Sequence, residues 1–198
     1  MRRRRPRALL IDFDGVLRQY DRAIQVEPRY GLEPGAFLAA GLEWTRYLPA
    51  VTGEWTRAKW LASIAEATGA PAAALSEWDE YRGYVDESVL AFVREVRASG
   101  TPVALVTNAT DDLRDDLARF NLAEEFDAIV SSAEIGWHKP SRDFFEAACK
   151  VVGLQAEECL LVDDTARNVS GARAAGLSAM RWTGLDDLRY LRTALLSS

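Results

Sequence analysis

Short, unbroken apolar runs recur along the chain, and polar residues follow each of them. The four strongest runs cover residues 8–11, 103–106, 128–130 and 159–162, and a weaker fifth covers 179–182. Unbroken rather than alternating apolarity is typical of strands that are buried on both faces, as in a parallel sheet. The pattern therefore predicts a parallel β-sheet whose strands come mostly from the second half of the chain.

Between these runs, apolar residues recur every three or four positions, as they do on one face of a helix. The clearest sets are Leu113, Leu117 and Phe120; Phe144, Phe145, Ala148 and Cys149; and Leu185, Leu188, Leu191 and Leu195. Thr110 and Ser141 stand where the N-caps of the first two helices would be. Strands that alternate with helices predict right-handed βαβ units. The expected fold class is α/β, a doubly wound Rossmann-like parallel sheet.

The segment 18–82 interrupts this alternation. It contains no convincing strand, has helix-like runs such as 55–68, and is punctuated by glycine and proline. We predict a small helical domain over 18–82, inserted after the first strand into an α/β core made of 1–17 and 83–198. Its large aromatic residues would form a core of their own, although one of them could face a ligand instead. These residues are Trp44, Trp55, Trp60 and Trp78.

Composition excludes several classes of protein. The 198 residues are 48% hydrophobic with a net charge of −6, which is ordinary for a folded globular chain. No stretch approaches the roughly 18 apolar residues of a membrane span. Five of the first seven residues are arginine, so the rest of the chain is more acidic than the net charge indicates. An acidic body argues against nucleic-acid binding.

Histidine and cysteine are too few for several kinds of site. His138 is the only histidine, which excludes zinc sites with two histidine ligands. Cys149 and Cys159 do not form a CxxC motif and are expected to be reduced core thiols of a cytoplasmic protein. The apolar run at 8–11 is too short for the core of a signal peptide.

The chemistry-bearing residues follow the predicted strands. They are Asp12, Asp14, Thr107, Asn108, Lys139, Asp163 and Asp164. Ligands of an open parallel sheet bind beyond the carboxyl ends of its strands, so these side chains should meet at one edge. Converging carboxylates repel each other unless a cation shares the site. Oxygen ligands favour a hard divalent ion, and Mg²⁺ fits best.

These residues also resemble the motifs of a known family. The segment 12–17, Asp-Phe-Asp-Gly-Val-Leu, is similar to motif I of the haloacid dehalogenase-like superfamily. Thr107-Asn108 resembles motif II, Lys139-Pro140 resembles motif III, and Asp163-Asp164 with Asn168 resembles a DDxxxN form of motif IV. The resemblance covers nearly the whole chain, with 18–82 in the place of the family's helical cap. It is strongest for the branch that holds glucose-1-phosphate phosphatases and the phosphatase domain of soluble epoxide hydrolases.

The resemblance implies a role for each residue. Asp12 would be the nucleophile and Asp14 the general acid and base, while Thr107, Asn108 and Lys139 would bind the phosphoryl group. Mg²⁺ would bind Asp12, the backbone carbonyl of Asp14, and Asp164. Asp163 and Asn168 would support these residues without contacting the substrate, and Asp163 would orient Lys139. Whether Asp163 or Asp164 contacts the metal stays open.

The implied activity is Mg²⁺-dependent hydrolysis of a small phosphorylated metabolite through an aspartyl-phosphate intermediate. Three alternatives remain: a phosphomutase, a dehalogenase, and a binding or regulatory protein that keeps the fold without turnover. An acidic Asp14 argues against a dehalogenase, which has no leaving alcohol to protonate. Neither nucleic acid nor a membrane is expected as a partner, and the oligomeric state is not determined by the sequence.

Overall fold

The computed structural model describes residues 5–21 and 24–196. Its main sheet has five parallel strands, β1 (Ala8–Ile11), β4 (Val103–Thr107), β5 (Ala128–Ser131), β6 (Cys159–Asp163) and β7 (Ser178–Arg181). Their order in the sheet is β5-β4-β1-β6-β7, so the first strand of the chain lies at the centre. Each apolar run of the sequence has therefore become a strand, as predicted.

Ten α-helices are present in the described residues. The helices of the inserted segment are α1 (Ala36–Gly41), α2 (Trp44–Val51), α3 (Arg57–Thr68) and α4 (Ala72–Glu80). The others are α5 (Glu87–Ala98), α6 (Leu113–Arg119), α7 (Ser132–Ile135), α8 (Arg142–Val151), α9 (Ala166–Ala174) and α10 (Leu188–Leu195).

Helices cover both faces of the sheet. On one face, Leu9 and Ile11 of β1 pack with apolar residues of α5, α6 and α10. On the other face, Ala8 and Leu10 of the same strand pack with residues of α8 and α9. Both sets are almost completely buried, which explains why β1 is apolar at every position. The doubly wound α/β fold is confirmed.

The inserted segment has a hydrophobic cluster of its own. Phe37, Trp60 and Ile64 are its buried centre, and Trp78 packs against them. Trp44 does not join this cluster, because 50% of its surface is exposed. The four tryptophans therefore do not share one role.

A short antiparallel ribbon joins the inserted segment to the core. It pairs β2 (Arg18–Gln19) with β3 (Tyr84–Val85). The sequence indicated no strand near residue 18, because a two-residue strand is too short to show a period. The ribbon pairs the two segments that connect the insertion to the core, so the chain leaves the core and returns to it at neighbouring positions.

Two expected N-caps have different outcomes. The Ser141 hydroxyl accepts a hydrogen bond from the Phe144 N–H (3.2 Å), as predicted. The prediction for Thr110 was wrong, since α6 begins at Leu113 and the Thr110 hydroxyl donates to Asp112 instead. The Asp112 carboxylate binds the Thr110 hydroxyl, which is therefore not available to cap the helix.

Composition also draws attention to the cysteines, the N-terminal arginines and the length of the helices. Cys149 and Cys159 are buried free thiols. Arg2–Arg4 of the arginine run lie outside the described residues, whereas Arg7 forms an ion pair with Glu158 (2.6 Å). None of the described helices combines the length and the apolar character that crossing a membrane requires.

Candidate active site

Asp12 follows β1 directly and lies beside a buried lysine. The ammonium of Lys139 is 2.8 Å from Asp12 Oδ1 and donates a hydrogen bond to Asp163 Oδ2 (2.7 Å). Only 2% of Lys139 and none of Asp163 is exposed to solvent. One cation is thus held between two carboxylates at the carboxyl ends of adjacent strands, β1 and β6.

Asp163 is fixed by further donors. Both of its carboxylate oxygens accept from the side-chain amide of Asn168 (3.1 and 3.2 Å), and Oδ1 also accepts from the Thr165 N–H (2.9 Å). Asn168 stands on the first turn of α9, which begins just beyond β6. This carboxylate therefore has its hydrogen-bonding positions filled by protein groups.

Asp164 is held less tightly and is half-exposed. Its Oδ1 accepts from the Thr165 hydroxyl (3.0 Å). Its Oδ2 lies against Gly15, where the backbone has φ +79° and an added Cβ would come within 2.3 Å of that oxygen. The glycine of the first motif therefore lets the loop after Asp12 approach Asp164. Oxygen atoms of Asp12, Asp163 and Asp164 lie within 4.8 Å of one another.

The charges of this cluster are not balanced by the protein. Burial, helped by Asp163 and opposed by Lys139, raises the pKa of Asp12 to about 8. Burial also raises the pKa of Asp164. Lys139 stays charged, because Asp12 and Asp163 outweigh its own burial and raise its pKa. The cluster has three carboxylates and only one ammonium, so it carries excess negative charge. The carboxylates offer oxygen ligands, which a hard divalent cation such as Mg²⁺ prefers.

Asp14 lies outside this cluster. Its two carboxylate oxygens accept from the guanidinium of Arg18 (2.6 and 3.0 Å), and Oδ1 also accepts from the Tyr20 hydroxyl (3.3 Å). The Arg18 guanidinium also pairs with Asp116 of α6 and lies 4.3 Å from the centre of the Phe13 ring. No sequence motif indicates the buried pairing of Arg18, because its partners come from the first loop and from a helix nearly a hundred residues later.

Asn108 holds the Lys139 loop in place. Its side-chain carbonyl accepts from the Lys139 N–H (2.7 Å), and its amide donates to the Lys139 carbonyl (3.0 Å) and to the Tyr47 hydroxyl (3.1 Å). Thr107 is buried at the end of β4, next to β1. The structure thus brings every predicted residue to the same edge of the sheet, and it adds Arg18 and Tyr47, which no motif indicated.

Solved structures share this arrangement of the chain. A haloacid dehalogenase-family enzyme of Bacteroides thetaiotaomicron superposes with a TM-score of 0.77 and 21% identity, covering 95% of this chain and 98% of that one. The same enzyme was solved with magnesium and inorganic phosphate (TM-score 0.73, 22% identity, 94% and 98% covered). L-2-haloacid dehalogenase of Xanthobacter autotrophicus superposes with a TM-score of 0.69 at 21% identity, with 94% and 81% covered. At these identities the likeness shows the fold.

Sequence relatives include named phosphatases. Phosphoserine phosphatase of Thermus thermophilus is 34% identical over 151 residues, which are 69% of this chain and 61% of that protein. Phosphoglycolate phosphatase of Chromobacterium violaceum is 35% identical over 86 residues, 43% of this chain and 39% of that protein. The chain thus spans less than two thirds of the length of these relatives. A family model described as haloacid dehalogenase-like hydrolase matches residues 6–176, and the chain belongs to that family.

Proposed function

We propose that this chain is a Mg²⁺-dependent phosphatase that hydrolyses a small phosphate monoester through an aspartyl-phosphate intermediate. The observation that carries the proposal is the position of Asp12, a carboxylate at a strand end 2.8 Å from the Lys139 ammonium and grouped with Asp163 and Asp164. A phosphate dianion repels an anionic nucleophile, so attack needs positive charge around the phosphoryl oxygens. The relatives named as phosphatases support the same reaction class.

The reaction has two displacements. In the first, an Asp12 carboxylate oxygen attacks phosphorus, the bond from phosphorus to the ester oxygen breaks, and Asp14 gives its proton to the departing alkoxide. In the second, Asp14 takes a proton from water, whose oxygen attacks phosphorus and releases phosphate and the Asp12 carboxylate. Lys139 and the Thr107 hydroxyl hold the phosphoryl oxygens. Asp14 must leave part of its pair with Arg18 to reach the leaving oxygen.

Asp12, Asp164 and the backbone carbonyl of Asp14 would hold the magnesium ion. Asp163 is the weaker candidate, because Lys139, Asn168 and Thr165 already occupy its oxygens. When bound, Mg²⁺ supplies positive charge that neutralises the phosphoryl oxygens. The raised pKa of Asp12 agrees with this need, since a nearby cation favours the ionised carboxylate that attack requires.

The direct test is hydrolysis of p-nitrophenyl phosphate with and without Mg²⁺. We expect turnover that disappears in excess chelator and returns when Mg²⁺ is restored. Release of halide from 2-haloacids without phosphate release would instead indicate a dehalogenase. Transfer of phosphate within a sugar phosphate would indicate a phosphomutase, and Mg²⁺-dependent binding without turnover a non-catalytic protein.

The role of Asp14 predicts a dependence on the leaving group. In Asp14→Asn, turnover of alkyl phosphates should fall about 10²–10⁴-fold, whereas p-nitrophenyl phosphate should lose much less, because its phenolate departs without a proton. Rates for a series of substituted phenyl and alkyl phosphates measure this. Equal losses across the series would mean that Asp14 is not the acid of the first step.

The metal assignment predicts different behaviour for the two neighbouring aspartates. Asp164→Asn should weaken Mg²⁺ binding more than Asp163→Asn, which should instead raise KM by disturbing Lys139. In the wild type, Mg²⁺ should bind more tightly at pH 8.5 than at pH 6, because the proton that Asp12 retains up to a pKa of about 8 competes with the metal.

Thermal unfolding against Mg²⁺ concentration reports these affinities, since a ligand that binds only the folded state raises its stability. A larger loss of affinity in Asp163→Asn than in Asp164→Asn would reverse the assignment within the pair. An affinity that falls as pH rises would contradict the competition with a proton.

The inserted helices lie beside the proposed site. We infer that residues 18–82 form a cap domain over a core of 1–17 and 83–198, since the inserted helices have their own hydrophobic cluster and Tyr47 of α2 reaches Asn108. The proposed substrate is a small phosphorylated metabolite, because the motifs resemble those of phosphatases. The proposed location is the cytoplasm, because Cys149 and Cys159 are free thiols.

A further inference from the structure

One surface of the inserted helices adjoins the proposed phosphoryl site. Tyr47 of α2 is half-buried, and its hydroxyl accepts a hydrogen bond from the Asn108 amide (3.1 Å), which in turn binds the Lys139 backbone. Trp44, one turn earlier, lies 6.4 Å from the Tyr47 ring and 5.7 Å from the His138 ring, centre to centre. We call Trp44, Tyr47 and His138 the aromatic wall.

The aromatic wall is accessible. Half of the Trp44 surface is exposed, whereas Trp60 is buried and Trp78 is partly buried against it. An indole left in solvent at a site that is open to ligands offers a large apolar face. The Tyr47 hydroxyl, which accepts from Asn108, is uncharged, and a ring nitrogen of His138 lies 2.8 Å from the Lys139 carbonyl oxygen.

The lysine and arginine side chains of the inserted helices contact partners within the protein. Among described residues 24–80, each arginine has an acidic partner, and the one lysine lies against an indole ring. Arg29 pairs with Glu77, Arg46 with Glu43, Arg57 with Asp79 and Asp112, and the Lys59 ammonium lies 4.5 Å from the centre of the Trp55 ring.

Arg18, the cation next to Asp14, is also committed. It is 7% exposed and shared between Asp14 and Asp116. A carboxylate on the substrate would therefore find, on the described part of this side of the site, no arginine without an acidic partner, and the one imidazole, that of His138, packs against the Trp44 ring. It would also lie near Asp14, which is itself acidic.

We propose that the site, if it acts as the phosphatase described above, selects phosphate esters of uncharged, ring-bearing alcohols, with Trp44 and Tyr47 as specificity-determining residues. A flat ring against the wall gains apolar and aromatic contact. A carboxylate in the same place loses water without gaining a counter-charge, which costs binding free energy. The preference is thus opposite to the acidic substrates that two of the relatives carry in their names, phosphoserine and phosphoglycolate.

Matched esters test the proposal. We expect kcat/KM for benzyl phosphate to exceed that for ethyl phosphate and for 4-carboxybenzyl phosphate by about tenfold each, in the range that apolar pocket contacts provide. Phosphoglycolate should be the poorest substrate of the series. A preference for either carboxylate ester over its uncharged counterpart would overturn the proposal.

Two substitutions of Trp44 test whether this residue causes the substrate preference. Trp44→Ala should lower the benzyl-to-ethyl ratio of kcat/KM about tenfold, and Trp44→Arg should raise the ratio of phosphoglycolate to ethyl phosphate about tenfold. Tyr190→Ala, which removes a similarly exposed ring from α10, should change neither ratio. An unchanged benzyl-to-ethyl ratio in Trp44→Ala would show that the wall does not contact the substrate.

Binding separates this proposal from the phosphatase assignment. Calorimetry with the Mg²⁺-loaded protein compares benzylphosphonate with phosphonoacetate, neither of which needs to be hydrolysed. Tighter binding of benzylphosphonate by about tenfold supports the aromatic wall even if no ester is turned over, a result that would overturn only the phosphatase assignment. Tighter binding of phosphonoacetate would overturn the aromatic wall and leave the phosphatase assignment intact.

Discussion

Asp12→Asn is expected to lower the phosphatase turnover rate about a thousandfold or more, while the protein remains folded. An amide has the shape of the carboxylate but lacks the negative oxygen that would attack phosphorus, so no aspartyl-phosphate can form. The fold should tolerate the change, because Asp12 already repels Asp163 and its burial disfavours the charged form. The free energy of unfolding without metal is expected to stay the same or to rise.

Single-turnover kinetics with a chromogenic ester, together with thermal unfolding, measure both parts of this prediction. Asp143→Asn is the matched control, since Asp143 is an exposed aspartate in the first turn of α8 and lies outside the proposed site. The control should retain wild-type turnover. Turnover near the wild-type rate in Asp12→Asn, and also in Asp12→Ala, would rule out the covalent mechanism.

The part of the fold that the sequence predicts is the part governed by local patterns. β1 at Ala8–Ile11 coincides with the predicted run, since a strand buried on both faces must be apolar at every position. The ends of β1, β4 and β6 then bring Asp12, Thr107 and Asp163 to one edge, because parallel strands of a sheet end on the same side. The positions of these residues follow from the strands that precede them.

The features that the sequence does not predict depend on contacts between distant segments. Arg18 meets Asp14 locally, but its second partner, Asp116, comes from α6. Tyr47 of α2 meets Asn108, which follows β4, although the two residues are 61 positions apart in the chain. Hydrophobic periodicity shows which face of a helix is buried, but it does not show which segment that face meets.

Proximity in the fold also changes the interpretation of individual residues. The sequence predicts that backbone N–H groups around Asn108 help to bind the phosphoryl group. Its side chain spans from the Lys139 backbone to Tyr47, which leaves that prediction for the backbone unchanged. The sequence predicts that Asp14 is one of four converging carboxylates, but its side chain pairs with Arg18 and lies outside the group formed by Asp12, Asp163 and Asp164.

Lys139→Met is expected to impair both stability and catalysis. The methionine fills a similar volume, but Asp12 and Asp163 then face each other in a buried site with no cation between them. Removing one partner of a buried ion pair typically costs about 3–5 kcal/mol, because the other charge is left without compensation. Turnover should fall at least a hundredfold, since a buried donor to the phosphoryl oxygens is lost as well.

A second substitution separates these two effects. In Lys139→Met combined with Asp163→Asn, one of the two facing carboxylates is gone, so much of the lost stability should return while turnover stays low. Lys150→Met, at the exposed end of α8, is the control and should change neither quantity appreciably. Chemical denaturation measures the free energy of unfolding, and initial rates at saturating Mg²⁺ measure turnover. Recovery of turnover in the double variant would mean that Lys139 acts only by balancing Asp163, and its proposed contact with the phosphoryl group would then be wrong.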